Sequence, residues 1–138
     1  MITLKALVRS YIEEVWTRGN LDAVDLYLGA NYRRHLSPTL ETLSLDGQKQ
    51  RLAGFRSAFP GVKITIEDIF TEGDYVIFRS TMHGTHKGIF QGIEPTGKTI
   101  TVTLIDIIRV ENGKFVEHWG GPDLFDLLKQ LGAVFSAV

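Results

Sequence analysis

Asp106 is the residue of this chain whose surroundings ask for chemistry. Ile100, Val102, Leu104, Ile108 and Val110 fall with it on one face of a strand by the two-residue side-chain period. An ionised carboxylate in an apolar row is costly without partners, and its proton affinity shifts instead. An acid in such a place is how a general base is tuned towards neutral pH. The competing reading is that Asp106 meets a buried arginine or hydroxyl and is structural. Donors for a developing negative charge could come from His86, His35 or a tyrosine. His83 and His86 are an odd number of positions apart, so in a regular strand only one of them can enter a cavity. The chain has no cysteine, which excludes a thiol nucleophile, disulfides and thiolate metal sites. No His, Asp and Glu trio has compact metal-ligand spacing, so no metal is expected.

The element that must position Asp106 is a hairpin, Thr99 to Trp119, turning at Asn112-Gly113. This dipeptide suits a two-residue type I′ turn because both central residues tolerate positive φ. Counting back from that turn pairs Glu111 with Lys114, Val110 with Phe115, Ile108 with Glu117 and Asp106 with Trp119. The count sets Trp119 opposite Asp106 and Glu117 on the diagonal. His118 pairs with Ile107 in this register and faces away, with Arg109 and Val116, as a surface or subunit-contact residue.

The rest of the chain supplies a roof for that strand. Thr3 to Arg18 carries an apolar stripe at helical spacing, Leu4, Leu7, Val8, Tyr11, Ile12 and Val15, capped by Thr3 and ended by Gly19. Asn20 begins a second helix, and a third is predicted from about Asp46 to Phe59, stopped by Pro60-Gly61. From Val62 the period becomes alternating, with strands to Phe70 and from Tyr75 to His86 around Glu72-Gly73-Asp74. Lys87 to Lys98, rich in glycine, is a connection over the end of the sheet, and a last helix runs from Leu124 to Leu131. The fold expected is α+β: a curved antiparallel sheet of about four strands with about three N-terminal helices on its concave face and a short C-terminal helix. Trp119, Glu117, Phe90, Phe55, Trp16 and Tyr32 are the expected walls of the enclosed cavity.

Residues 1–138 read as one domain with no internal repeat or linker. Hydrophobic residues make up 43% and charged residues 22%, ordinary values for a globular chain. Fifteen basic residues face 16 acidic ones, which argues against a nucleic-acid or anionic-membrane surface. No segment reaches membrane-spanning length and none reads as a secretion signal, so a cytoplasmic location is expected. Ile105, Ile107 and Val116 put apolar groups on the face the helices leave bare, so a homodimer or higher homo-oligomer is expected there.

The segment Gly84-Thr85-His86-Lys87-Gly88-Ile89-Phe90-Gln91-Gly92-Ile93-Glu94-Pro95-Thr96-Gly97-Lys98, the run Ile105 to Lys114, and Val116-Glu117-His118-Trp119 resemble the SnoaL-like polyketide cyclases of the nuclear transport factor 2-like superfamily. The resemblance implies a cone-shaped fold and cofactor-free intramolecular aldol closure of a polyketide ester by an acid/base aspartate at the cavity floor. It maps that aspartate onto Asp106 or Asp123, and the family's histidines onto His86 and His35. Asp123 also reads as the N-cap of the last helix. The function expected is acid/base catalysis on a small hydrophobic carbonyl compound without a cofactor. Isomerisation, dehydration or hydrolysis in the same pocket and non-catalytic small-molecule binding are the alternatives.

Overall fold

Thr3 opens the first helix with its own side chain, Oγ1 accepting from the Ala6 amide at 3.1 Å. The helix α1, Leu4–Tyr11, then loosens into a π-helical turn, Ile12–Thr17. The wider turn brings Tyr11, Ile12 and Trp16 onto one inward-facing patch. The computed structural model describes residues 2–134. The second helix is shorter than its sequence promises: a 3₁₀ turn, Leu21–Ala23, leads into α2, Val24–Tyr27. Asn20 makes no side-chain cap, its amide reaching Glu14 instead. The third helix α3, Leu45–Ala58, is capped by Ser44, and α4, Leu124–Gln130, by Asp123.

Five strands form one sheet in the order β1-β5-β4-β3-β2: β1 Leu28–His35, β2 Lys63–Glu72, β3 Tyr75–Thr85, β4 Thr99–Glu111 and β5 Lys114–Pro122. The sheet is mixed rather than antiparallel throughout, because β1 joins its edge parallel to β5. That strand escapes a search for alternation: its buried positions are irregular, and the one near its end is an arginine. The helices cover the concave face, where Val8, Tyr11, Val15, Leu52, Phe78 and Ile108 belong to one buried apolar cluster.

The hairpin turns at Asn112-Gly113 as expected, with φ of 51° and 74°. Glu111 pairs with Lys114 and Val110 with Phe115, but the next pair is Arg109 with Glu117. Val116 is therefore an extra residue, a β-bulge. Beyond it every pairing moves by one: Ile108 faces His118, Ile107 faces Trp119 and Asp106 faces Gly120. The expected pairs Ile108–Glu117 and Asp106–Trp119 do not form, and because a one-residue slip exchanges faces, His118 turns inward while Glu117 and Trp119 turn outward.

Gly120 has φ of 91°, and a Cβ there would lie 2.0 Å from the carbonyl oxygen of Ile105. Gly73 also has positive φ, 56°, with open space around it. Gly120→Ala is expected to cost about 3 kcal/mol and Gly73→Ala about 1 kcal/mol. Thermal unfolding of the two variants checks this, and equal losses would exclude the backbone clash as the cause.

Candidate active site

Asp106 projects from the middle of β4 into the concave face and is 4% exposed. Its neighbours across the sheet are Phe78 on β3 and Gly120 on β5. Gly120 offers no side chain, so His118 leans over diagonally from the same strand and its Nε2 stands 2.7 Å from Asp106 Oδ1. Arg34, brought into register with His118 by the parallel pairing of β1, places Nη2 3.7 Å from the same oxygen. Nη2 also donates to the carbonyl of Gly120 at 2.6 Å. Space for that guanidinium depends on Gly121, where a Cβ would lie 2.6 Å from Nη2.

The protons of this network can be assigned from its charges. Burial, then the nearby Arg34 charge, pulls the His118 pKa down to about 4, and Asp106 only partly opposes them. His118 is therefore neutral at pH 7. Facing a carboxylate, Nε2 carries the proton, and Nδ1 accepts from the Tyr32 hydroxyl at 2.9 Å and from Arg34 Nη1 at 2.8 Å. Burial raises the Tyr32 phenol, which stays protonated and can donate. Asp106 Oδ2 has no hydrogen-bond partner among the described residues.

The space beside these groups is a chamber of about 20 Å³, bounded by Tyr11, Trp16, Phe55, Ser80 and Met82 as well as Asp106 and His118. That is room for about one water molecule. At Arg51, Phe55 and Pro122 the chamber meets a broader surface cleft of about 620 Å³. Leu40, Leu43, Ile89, Phe90 and Leu124 give the cleft apolar walls. The arrangement is a carboxylate with one oxygen held by donors and the other unpartnered among the described residues, in a small chamber that shares Arg51, Phe55 and Pro122 with an apolar-walled cleft.

The sequence matches the family model of the SnoaL-like polyketide cyclases over residues 6–131. This chain belongs to the SnoaL-like polyketide cyclase family. It is 30% identical to the nogalonic acid methyl ester cyclase of Streptomyces nogalater, over 83% of this chain and 87% of that protein. The fold matches AclR from Streptomyces galilaeus, a candidate hydroxylase, with a TM-score of 0.87 and 28% identity over 97% of this chain and 87% of that one. IdmH from Streptomyces antibioticus, a candidate polyketide cyclase, superposes with a TM-score of 0.80 and 27% identity, over 93% and 97% of the two chains. The α+β cone with its curved, open sheet is that of these SnoaL-like structures.

Within this SnoaL-like fold the expected site residues separate into three groups. Asp106, Phe55 and Trp16 line the inner chamber, Tyr32 reaches it through His118, and Phe90 walls the outer cleft. Glu117, Trp119 and His35 lie on the opposite face of the sheet, turned there by the bulge and by the parallel register of β1. There Glu117 is paired with Arg109 and His35 at 2.9 Å each, and His35 stacks on Trp119 at 5.1 Å. The His35 hydrogen bond, then Arg109, holds the Glu117 carboxyl below its ordinary range. His86 is buried beyond the end of β3, accepting from the Thr96 amide at 3.2 Å with its ring against Phe59. Asp123 caps α4, its side chain accepting from the Asp126 amide. Trp119, Glu117, His35 and His86 are thus not brought to the chamber, whereas His118, expected to face away, is at its centre.

Sequence reasoning missed His118, Arg34, Arg51, Tyr11 and Ser80 as site groups. Tyr11 was visible on the apolar stripe of α1, but Arg34 stood in a segment without alternation. No group of three or more His, Cys, Asp or Glu able to hold a metal occurs among the described residues. No helix among them is long and apolar enough to cross a membrane.

The lowered His118 pKa makes stability depend on pH. Between the ordinary histidine value of about 6.5 and about 4, the unfolded chain takes up a proton that the folded chain refuses. The contribution of His118 is thus present above pH 6.5 and is lost as pH falls towards 4, a change of roughly 3 kcal/mol. Denaturant unfolding of the parent and of His118→Gln over that interval checks it: the slope should be smaller in the variant, and identical slopes would contradict the neutral histidine.

Proposed function

We propose that the chain catalyses intramolecular aldol closure of a polyketide ester without a cofactor, with Asp106 as the acid/base group. The observation that carries this reading is the division of labour between the Asp106 oxygens: Oδ1 is held by His118 at 2.7 Å, and Oδ2 is unpartnered among the described residues at the chamber. Oδ2 removes the proton from a carbon flanked by two carbonyls, and the electron pair delocalises on to oxygen. The enolate carbon attacks a second carbonyl of the same molecule, a carbon–carbon bond forms, and the proton on Asp106 passes to the new alkoxide. Acid/base catalysis of this kind contributes about 10²- to 10⁴-fold.

His118, Tyr32 and Arg34 act here as positioning residues. Their hydrogen bonds fix the carboxylate and keep Nε2 in its protonated tautomer, so reorganisation during proton transfer is small. The apolar cleft suits the ring system of a polyketide. The nogalonic acid methyl ester in the name of the Streptomyces nogalater relative supplies the model substrate, an ester.

The partner proposed besides this ligand is a second copy of the chain. Phe70, Ile77, Ile107 and Trp119 stand in register across β2, β3, β4 and β5 on the face away from the helices, with the exposed Ile105 beside them. Two such faces would bury one another's apolar row.

Turnover of nogalonic acid methyl ester, followed by product chromatography, tests the reaction. Asp106→Asn should lower kcat by about 10²-fold or more with the fold retained. Undiminished turnover in that variant, or tight binding without turnover by the parent, would defeat the assignment. Sedimentation tests the assembly: the parent should be dimeric or larger and Ile107→Glu monomeric, and a monomeric parent would overturn it.

A further inference from the structure

Arg51 is the charged group at the site for which the proposed proton transfer finds no use. It lies on α3, where the inner chamber and the outer cleft meet, and it borders both. Arg34 beside it is committed: its terminal nitrogens engage the Gly120 carbonyl, His118 and Asp106. Arg51 makes no hydrogen bond and no ion pair among the described residues. Its guanidinium rests over the Phe55 ring, 4.9 Å from the centroid. Burial, then repulsion from Arg34, pulls its pKa down to about 10, which still leaves it charged at neutral pH.

The charges do not balance. Arg34 and Arg51 are cations, Asp106 is the one carboxylate lining the chamber, and His118 is neutral. A half-buried guanidinium at the mouth of a chamber, with a planar fork of donors and no protein acceptor among the described residues, is a receptor for a planar oxyanion. Its place at the neck means that the group it receives is joined to a body in the cleft and lies within reach of Asp106. An ionised 1,3-dicarbonyl has this shape and charge.

We propose that Arg51 is the substrate-recognition residue of this site, leaving the Phe55 ring to bind the oxygen of an ionised 1,3-dicarbonyl group whose apolar body occupies the outer cleft. The inference deepens the aldol reading and rests on it for the origin of the oxyanion. Removal of the carbon-bound proton makes Asp106 neutral and puts one negative charge on the dicarbonyl oxygens. The charge of the site with its ligand is unchanged, and the new anion lies against a cation that had no partner. The same movement unblocks the neck, since Arg51 and Phe55 together form its wall.

Benzoylacetone, whose enolate and neutral forms absorb differently, is the probe. Binding of its preformed enolate requires no proton transfer, so the result does not depend on whether Asp106 catalyses anything. In a Trp119→Phe background Trp16 is the remaining one of the chain's two tryptophans and lines the chamber, so its quenching locates the ligand. Titrations across the ionisation of benzoylacetone would compare Arg51 with Arg51→Met and Arg51→Lys, thermal unfolding showing that all are folded. The parent should bind the enolate in preference to the neutral form, so that bound ligand ionises at lower pH than free ligand. Arg51→Met should lose roughly tenfold to a hundredfold in enolate affinity with little change for the neutral form, and Arg51→Lys should retain part of it. Equal enolate preference in Arg51→Met would overturn the proposal, as would a parent that binds only the neutral form or neither. Enolate binding that depends on Arg51, in a parent without cyclase turnover, would sustain this inference while removing the aldol reading.

Discussion

An ionised carboxylate taken out of water carries a penalty of several kcal/mol, and a fold that buries one must bring its partners along. Asp106, 4% exposed, has them in the 2.7 Å hydrogen bond from His118 and in Arg34 at 3.7 Å. Much of the architecture exists to deliver those two side chains. The bulge at Val116 rotates His118 inward, the parallel pairing of β1 sets Arg34 in register with it, and Gly120 leaves the place opposite Asp106 empty. Removing any of these would leave a charge buried without compensation.

The hairpin turn, the alternation of β4, the anomaly of Asp106 and the helical stripes were all readable, because each follows from local periodicity or turn chemistry. The family resemblance was readable for the same segments. The bulge was not: an extra residue in a strand changes no composition and breaks no local rule, yet it reverses the side of every residue beyond it. Hence Trp119 and Glu117 were assigned to the chamber and His118 to the outside, although the turn from which they were counted is correct. The edge strand β1 was missed for a related reason. Its inward residues near the end are Tyr32 and Arg34, whose polar groups serve the buried network rather than an apolar face, so no hydrophobic alternation marks it.

His86 shows how a recognisable motif can serve geometry. Its backbone bonds to Lys98 and Gly97, and its ring nitrogen meets Thr96, which ties both ends of the 87–98 connection together. That connection carries Ile89 and Phe90 to the wall of the outer cleft. A histidine buried against Phe59 lines neither the chamber nor the cleft, but it braces the connection that supplies part of the cleft wall. The segment that carries the family resemblance thus shapes the cleft, while Asp106, His118 and Arg34 form the buried polar network beside the chamber.

The two spaces differ about thirtyfold in volume, about 20 Å³ against about 620 Å³, and this difference constrains any ligand. A body larger than about one water cannot occupy the inner chamber as it stands, so a bulky ligand would find its apolar contacts in the cleft. The chamber admits a reactive arm only if the neck of Arg51, Phe55 and Pro122 yields. While the neck is closed, Asp106 is shielded from bulk water and the donors around it act in a low dielectric. A ligand that used both spaces would need a broad apolar body for the cleft and a narrow arm for the neck, and under the role proposed for Arg51 that arm would carry negative charge.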